Sequence, residues 1–572
     1  MSFNHYYQAE LTYLRDMGRA FAQAHPGVAG MLSERGTDPD VERLLEGFAF
    51  LTGRIHQRID AALPSLVDGL TEMLLPHFAR VTPACTTIEF RPDLSKHRGR
   101  QQIARGTAVG SRAVEGTSCT FRTCADLDVV PARVSSSSLD DSSVSSPELR
   151  VGLEIATGAT SSVLSAQPLR FHLHGDWPLT SHLLLWMTRH CIDVSLVAGT
   201  QSVSLGRGAV RWAPMCTQSA LWPWPELSPR AMCLLLEYFT LPSKFLYFEL
   251  CGLERGRELQ HERLELRFRF ERPPPFPGRL PEDMLRLHCV PAANVFSIDA
   301  VPVTVASTDS PQLLRAGGMS PDHAEVFSID RVTGLRRNTL RTYRPFYSFE
   351  HALHNDDTYY VATREASPVD DAVHHFIRLS GPRDSLTSTD PETLSIALTC
   401  TNRSLPSRLL VGDIDTPTTG CPTAVGFSNI ERVTRPSRPP LGGELQWQVF
   451  AHLAASRNAM STPEALKAAL SLYNWQVYSD EVAAKTNRGR IQALRAVVTS
   501  PTTRIVEGAA IRGLAYDMEV DQSGFAGPGD IFVFGCLLDE LVAAQTPINA
   551  FSELTLSVHP SGSRTTWTPR VT

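Results

Sequence analysis

In FHLHGD, residues 171–176, alternate positions carry His172, His174 and Asp176. Successive side chains of a strand point to opposite faces, so these three would share one face at a spacing that suits metal coordination. Two features argue against a metal centre. Trp177 stands where a further histidine would be wanted, and no second H-x-H or carboxylate cluster complements the motif. The simpler expectation is a solvated polar strand face. His351 and His354 in FEHALH, and the adjacent His374 and His375, have no ligand companions at a recognisable spacing. Asp413 and Asp415 in GDIDTP could do acid–base work in a cleft, but a chain with 60 acidic residues offers such pairs by chance. No phosphate-binding loop, nucleophile elbow or H-E-x-x-H helix is present. The 11 cysteines are odd in number, scattered and without a C-x-x-C pair, which predicts buried reduced thiols. No catalytic, cofactor or metal site is expected.

A chain of 572 residues is too long for one core, and 42% hydrophobic with 20% charged residues describes an ordinary globular protein. A net charge of -6 offers nothing global to a polyanion. The most basic stretch, RVTGLRRNTLRTYR at 331–344, lacks aromatic residues spaced for base stacking, so neither nucleic acid nor a small-molecule substrate is expected as a partner. No apolar run reaches the roughly 18 residues of a membrane span, and the N-terminus lacks a signal peptide's basic start and apolar centre. A cytoplasmic location follows.

The pattern predicts an α+β multidomain chain. Residues 1–80 read as helices: one over about 5–24 with Tyr7, Leu11, Leu14 and Phe21 on a stripe, a second from Asp38 to near Pro64, and a short third over 65–75. Period-2 segments such as RLELRFRFE (263–271) then predict a β-rich domain over 81–280 and a second over 281–435. VSSSSLDDSSVSSPE (134–148) reads as a mobile loop tip. Beyond RPSRPPLGG, 436–572 reads as a mixed α/β domain, with helices at 463–475 and 530–545 and a strand at 490–500.

The second helix, DPDVERLLEGFAFLTGRIHQRID (38–60), starts conventionally: Asp38 can cap, Pro39 suits the first turn, and Asp40 and Glu42 sit where the helix dipole favours them. Val41, Leu44, Leu45, Phe48, Leu51, Ile55 and Ile59 form an apolar stripe, read as core. Phe50 lies opposite, among Glu42, Arg43, Glu46 and Arg54, between Gly47 and Gly53. Glycine costs about 1 kcal/mol relative to alanine inside a helix, so the pair calls for close approach by another surface. Periodicity alone leaves that surface undecided between this chain and a partner.

YYQAELTYLRDMGRAFAQAHPGVAGML and the helix after it closely resemble the N-terminus of the TssF family, baseplate subunits of the bacterial type VI secretion system. The resemblance continues in order through EYFTLPSKFLYFEL (237–250), CVPAANVF (289–296), YRPFYSFEH (343–351), LTCTNRSLP (398–406) and PINAFSELTLSV (547–558). It implies a non-enzymatic wedge protein that joins TssG, a second TssF copy, TssK and TssE around the VgrG spike. That assembly docks at the cytoplasmic face of the inner membrane complex, templates the contractile sheath and inner tube, and resembles contractile phage-tail baseplates. It also implies N-terminal helices that enter a bundle shared with partners, with Phe50, Glu42, Arg43, Glu46, Arg54, Tyr6 and Tyr13 as interface candidates. The competing class is a β-rich carbohydrate-binding or metal-dependent hydrolytic protein, to which Trp222 and Trp224 in LWPWPEL would offer a glycan platform if they were not a packed turn.

Overall fold

The computed structural model describes residues 3–571 apart from 26–38, 141–146, 158–160, 165–167, 214–219, 227, 258, 260, 262, 276–279, 306–310, 337–338, 347–358, 368–369, 371, 381–391, 419, 422–424, 457–461 and 507–508; within helices and strands, the side chains of 3–6, 19, 22, 39, 41–42, 57–66, 161–162, 336, 339, 446, 450, 452–456, 506 and 509 are also outside it. His351 and His354 fall outside these residues.

Helix α1 (Phe3–Ala24) and helix α2 (Pro39–Leu74) form an antiparallel hairpin. Tyr7, Leu11 and Leu14 of α1 turn toward α2, whereas Phe21, expected on the same stripe, is exposed. At 1.5 Å per residue the 36 residues of α2 span about 54 Å. The backbone stays helical through Pro64, where a stop and a separate third helix were expected. An interior proline removes one hydrogen bond and costs about 3 kcal/mol. The turns beyond it are held by burial of Val67, Thr71, Leu75 and Phe78, which fixes the helix on its far side.

That buried end carries the anchor. Asp68 Oδ1 lies 3.1 Å from Arg364 Nη2, both side chains nearly inaccessible, and Arg364 Nη1 donates to the Phe78 carbonyl at 3.4 Å. Burial pushes the Asp68 carboxyl above its usual range although the Arg364 guanidinium pulls it down. Next to it, His77 shares a hydrogen bond of 3.2 Å with the Tyr473 hydroxyl, and the Phe78 ring meets Tyr473 and Trp475 edge-on. The end of α2, the strand Tyr359–Ala366 and the segment around Tyr473 therefore meet at one point.

Three hydrophobic clusters form among the described residues. The largest runs from Val67 to Trp567, a second lies within Ala300–Cys400, and a small third joins Ala213, Tyr247, Cys289 and Ile430. A six-stranded sheet in the large core has the spatial order Thr416–Pro417, Ala108–Val114, Thr117–Thr123, Cys289–Ala293, Cys85–Pro92, Val425–Asn429. It thus takes strands from both sides of residue 280. An eight-stranded sheet built between Phe296 and Thr401 carries the second cluster. Residues 134–140 of the serine-rich segment, expected to be a loop, lie in a strand, Ala132–Asp140, at the edge of a five-stranded sheet, and 141–146 lie outside the described residues. A bulge between Val134 and Ser136 shifts the pairing register within it.

Short helices α3 (Trp177–Leu185) and α4 (Arg230–Thr240) pack into the large core, and α5 (Gly443–Ser456), α6 (Pro463–Ser471), α7 (Glu481–Gln492) and α8 (Pro528–Ala544) complete the C-terminal region. Asp480 caps α7 by accepting from the Val482 and Ala483 amides, so 490–492 is helix and the strand expected from 490 starts at Leu494. Buried α8 crosses α3 at Gly529, where a Cβ would lie 2.2 Å from the Ser181 and His182 backbone. Asp530, one residue on, is buried against Arg490 at 3.0 Å.

Arg364→Met should destabilise the chain by about 3–5 kcal/mol, because it leaves Asp68 buried without its partner. Denaturant unfolding should show this loss largely recovered in Asp68→Asn/Arg364→Met. A second expectation concerns Glu325, which accepts from the Val373 amide at 2.7 Å and whose carboxyl burial raises from 4.5 to about 7. The folded state therefore holds a proton that the unfolded state has released, and stability falls as pH rises from about 4.5 to 7. Glu325→Gln should melt higher than the parent at pH 8, with the difference vanishing by pH 4 in thermal scans.

Candidate interface on the helical hairpin

The face of α2 that meets α1 carries small residues. Ala49 and Gly53 are buried there, and at 100° per residue they lie about 150° round the helix from Leu44, Phe48, Leu51 and Ile55. Small side chains let the two helices approach closely. His56 Nδ1 reaches Glu10 Oε1 at 2.6 Å beside this contact. Gly53 is thus explained by α1, whereas a Cβ on Gly47 would meet nothing within 4 Å.

Four residues of the stripe read as core are not core: Leu44, Phe48, Leu51 and Ile55 are 56–60% exposed, Leu45 is half-buried, and the side chains of Val41 and Ile59 lie outside the described residues. The inference failed because a helix needs only one buried face, and α1 took the small-residue face. The spacing of the four exposed residues, 4-3-4, is that of a coiled-coil seam, a signal in the sequence that could have marked them as intermolecular. On α1, Tyr13, Met17 and Phe21 recur every fourth residue and are also exposed. Leu70 and Leu74, nearer the body, are exposed as well.

Phe50 is 48% exposed, on the other flank of the α1 contact from the seam. Arg43, Glu46 and Arg54 around it are exposed, with Arg43 3.6 Å from Asp40. The side chains of Glu42 and Tyr6 lie outside the described residues. The structure thus brings Phe50 together with Arg43, Glu46 and Arg54 on one helix, and places Tyr13 on the neighbouring one.

The candidate chemistry is absorbed by packing. His172 is buried, with its ring 4.5 Å from that of Tyr247, rather than on a solvated face. Burial lowers its pKa to about 3. His174 is half-buried and Asp176 exposed, so the three do not converge, and no His/Cys/Asp/Glu group among the described residues could hold a metal. His375 is buried, and burial beside Arg364 and Arg80 likewise pushes it to about 3. Asp413 and Asp415 are both taken by Arg112, at 3.1 and 3.7 Å. Trp222 is buried, and Trp224 donates its indole N–H to Glu237 at 2.7 Å, a packed turn rather than a glycan platform. Glu237 is also paired with Lys244, and both are buried. The described cysteines are free thiols, most of them buried.

No helix among the described residues is long and apolar enough to cross a membrane. A family model described as type VI secretion system, TssF, matches residues 1–572. The type VI secretion system component TssF1 of Pseudomonas aeruginosa is 27% identical over 98% of this chain and 97% of its own length. Among solved structures, a chain of the TssK-TssF-TssG baseplate subcomplex of the type VI secretion system aligns with a TM-score of 0.81 at 31% identity, over 92% of this chain and 98% of that one. A chain of the baseplate complex from the type VI secretion system aligns with a TM-score of 0.60 at 28% identity over the whole of both. A carbohydrate-binding or hydrolytic protein finds no support in these likenesses, and with its whole length matched by the family model and its exposed helical hairpin set on a mixed α/β body, the chain belongs to the TssF family of the type VI secretion system.

Proposed function

We propose that this chain is a structural subunit of a type VI secretion baseplate, and that its α1–α2 hairpin docks a TssG subunit by completing a helical bundle. The observation that carries this reading is the 4-3-4 seam of Leu44, Phe48, Leu51 and Ile55, exposed on a helix whose base is rigidly anchored. Exposed apolar rows of this kind mark association surfaces rather than solvated faces. The solved relative named for the TssK-TssF-TssG subcomplex supports TssG and TssK as partners. A second TssF copy, TssE, the VgrG spike and docking at the cytoplasmic face of the inner membrane complex complete the proposal, as the family resemblance implies. So does a division into the hairpin (1–80) and three further regions. The protein acts by holding subunits in place, with no reaction of its own.

Co-purification of the full chain with TssG and TssK tests this. A buried interface anchor is worth about 2 kcal/mol or more, so Leu51→Asp should weaken TssG binding roughly 30-fold. Its melting temperature should stay within about 2 °C of the parent's, because a substitution exposed on the free chain loses little packing. Phe50→Asp should weaken the complex if the flank is also covered. An intact complex in both variants, with unchanged affinity by titration, would overturn the reading.

A further inference from the structure

Val332 and Tyr343 of the basic stretch 331–344 enter the second hydrophobic cluster, but its exposed residues Arg331, Leu335, Leu340 and Arg341 belong neither to that cluster nor to the hairpin interface. The stretch holds five arginines, and 331–345 contains no acidic residue. The structure makes it two adjacent strands of the eight-stranded sheet, Glu325–Arg336 and Thr339–Pro345, antiparallel in register from Val332↔Tyr343 to Arg336↔Thr339. On its other side, Thr339–Pro345 meets the parallel strand Tyr359–Ala366 only at Arg344↔Tyr359 and Pro345↔Tyr360. Among the described residues, no strand pairs with Thr339–Thr342 on that side.

This edge, unpaired among the described residues, is held in place from beneath. The Tyr343 hydroxyl donates to Glu392 Oε1 at 2.7 Å in the interior. The two side chains fill the space over Gly334, where a Cβ would lie 2.6 Å from the Tyr343 ring. The outer face is different. Leu335 and Leu340 are cross-strand partners, 52% and 71% exposed, flanked by Thr333 and Thr342. Arg341 is exposed and alternates to the opposite side of its strand from Leu340. Neither Arg331 nor Arg341 is ion-paired with a described carboxylate.

Cations on an edge strand commonly serve to keep other strands away. A protective edge, however, is polar on its exposed face, and this one displays two large aliphatic side chains there. We infer that Thr339–Thr342 is a β-augmentation site for an extended segment of a partner protein in which apolar and acidic residues alternate. An added strand would place its apolar side chains beside Leu340 on the outer face. Its alternate carboxylates would then fall beside Arg341 on the other. Backbone pairing supplies affinity, and the alternation supplies selectivity. The site is separate from the α1–α2 hairpin, so it stands or falls independently of TssG docking.

The test uses the full chain and a fluorescein-labelled (Val-Glu)4 peptide, titrated by anisotropy, with (Val-Lys)4 and an eight-nucleotide oligothymidine as alternatives. The acidic peptide should bind saturably below 1 mM and weaken at least tenfold on raising salt from 50 to 500 mM, since exposed charge pairs are screened. Arg341→Glu should reduce its binding at least tenfold with an unchanged thermal melt, because that side chain is exposed and makes no described ion pair. Leu340→Asp should do the same from the other face. No binding at 1 mM, equal binding of (Val-Lys)4, or a loss below twofold in both variants overturns the inference. So does preference for the oligonucleotide, which would reassign the patch to polyanions.

Discussion

The buried pair of Asp68 and Arg364 sets the geometry on which the rest of this molecule depends. A two-helix hairpin has too little mutual surface to hold its own orientation, and here the pair ties the last turns of α2 to the strand Tyr359–Ala366. Removing two charges from water is costly, and the cost is offset only where geometry is good and remaining donors are used. Arg364 meets that condition through the Phe78 carbonyl, and the aromatic contacts of Phe78 with Tyr473 and Trp475 extend the anchorage into the C-terminal region. The upper turns of α2 then project with their apolar row uncovered. Rigid at its base and open at its sides, the hairpin suits an assembly subunit, since little ordering entropy remains to be lost on docking.

The same logic recurs in the body. Lys244 with Glu237, and Arg490 with Asp530, are charged pairs sealed in the large core. Each joins segments distant in sequence or locks a turn against a helix: Glu237 also accepts from the Leu221 amide and the Trp224 indole. Such contacts fix relative placement more than they add stability, because an apolar replacement of similar volume would often be as stable. A protein whose task is to hold other subunits in register is served by that kind of interior. Histidines and thiols are accommodated within it, with burial pushing His172, His288 and His375 down to about 3 and Cys124 up to about 11.

Much of the element content was legible from periodicity. The alternation of Leu264, Leu266, Phe268 and Phe270 is reproduced residue by residue in the burial of their strand. The capping residue Thr462, whose hydroxyl accepts from the Ala465 amide, begins α6 at 463, where a helix was expected, although it ends at Ser471 rather than at 475. Less legible were elements decided by distant partners. Pro64 stays helical because the turns beyond it are buried, and residues 134–140 of the serine-rich segment become strand because Glu148–Ile155 lies alongside them. Sheet membership across residue 280 could not be read at all, since pairing of Cys85–Pro92 with both Cys289–Ala293 and Val425–Asn429 leaves no local trace.

The helix 38–60 separates the two kinds of information most clearly. That it is a helix, that it has an apolar stripe and that Phe50 lies away from that stripe all follow from the local repeat of 3.6 residues. Which face the chain covers for itself is set by long-range packing. Small residues at Ala49 and Gly53 permit close approach of α1, so that face is buried and the larger stripe is left to solvent in the free chain. Hydrophobicity states that a surface gains by being covered; it does not state by what.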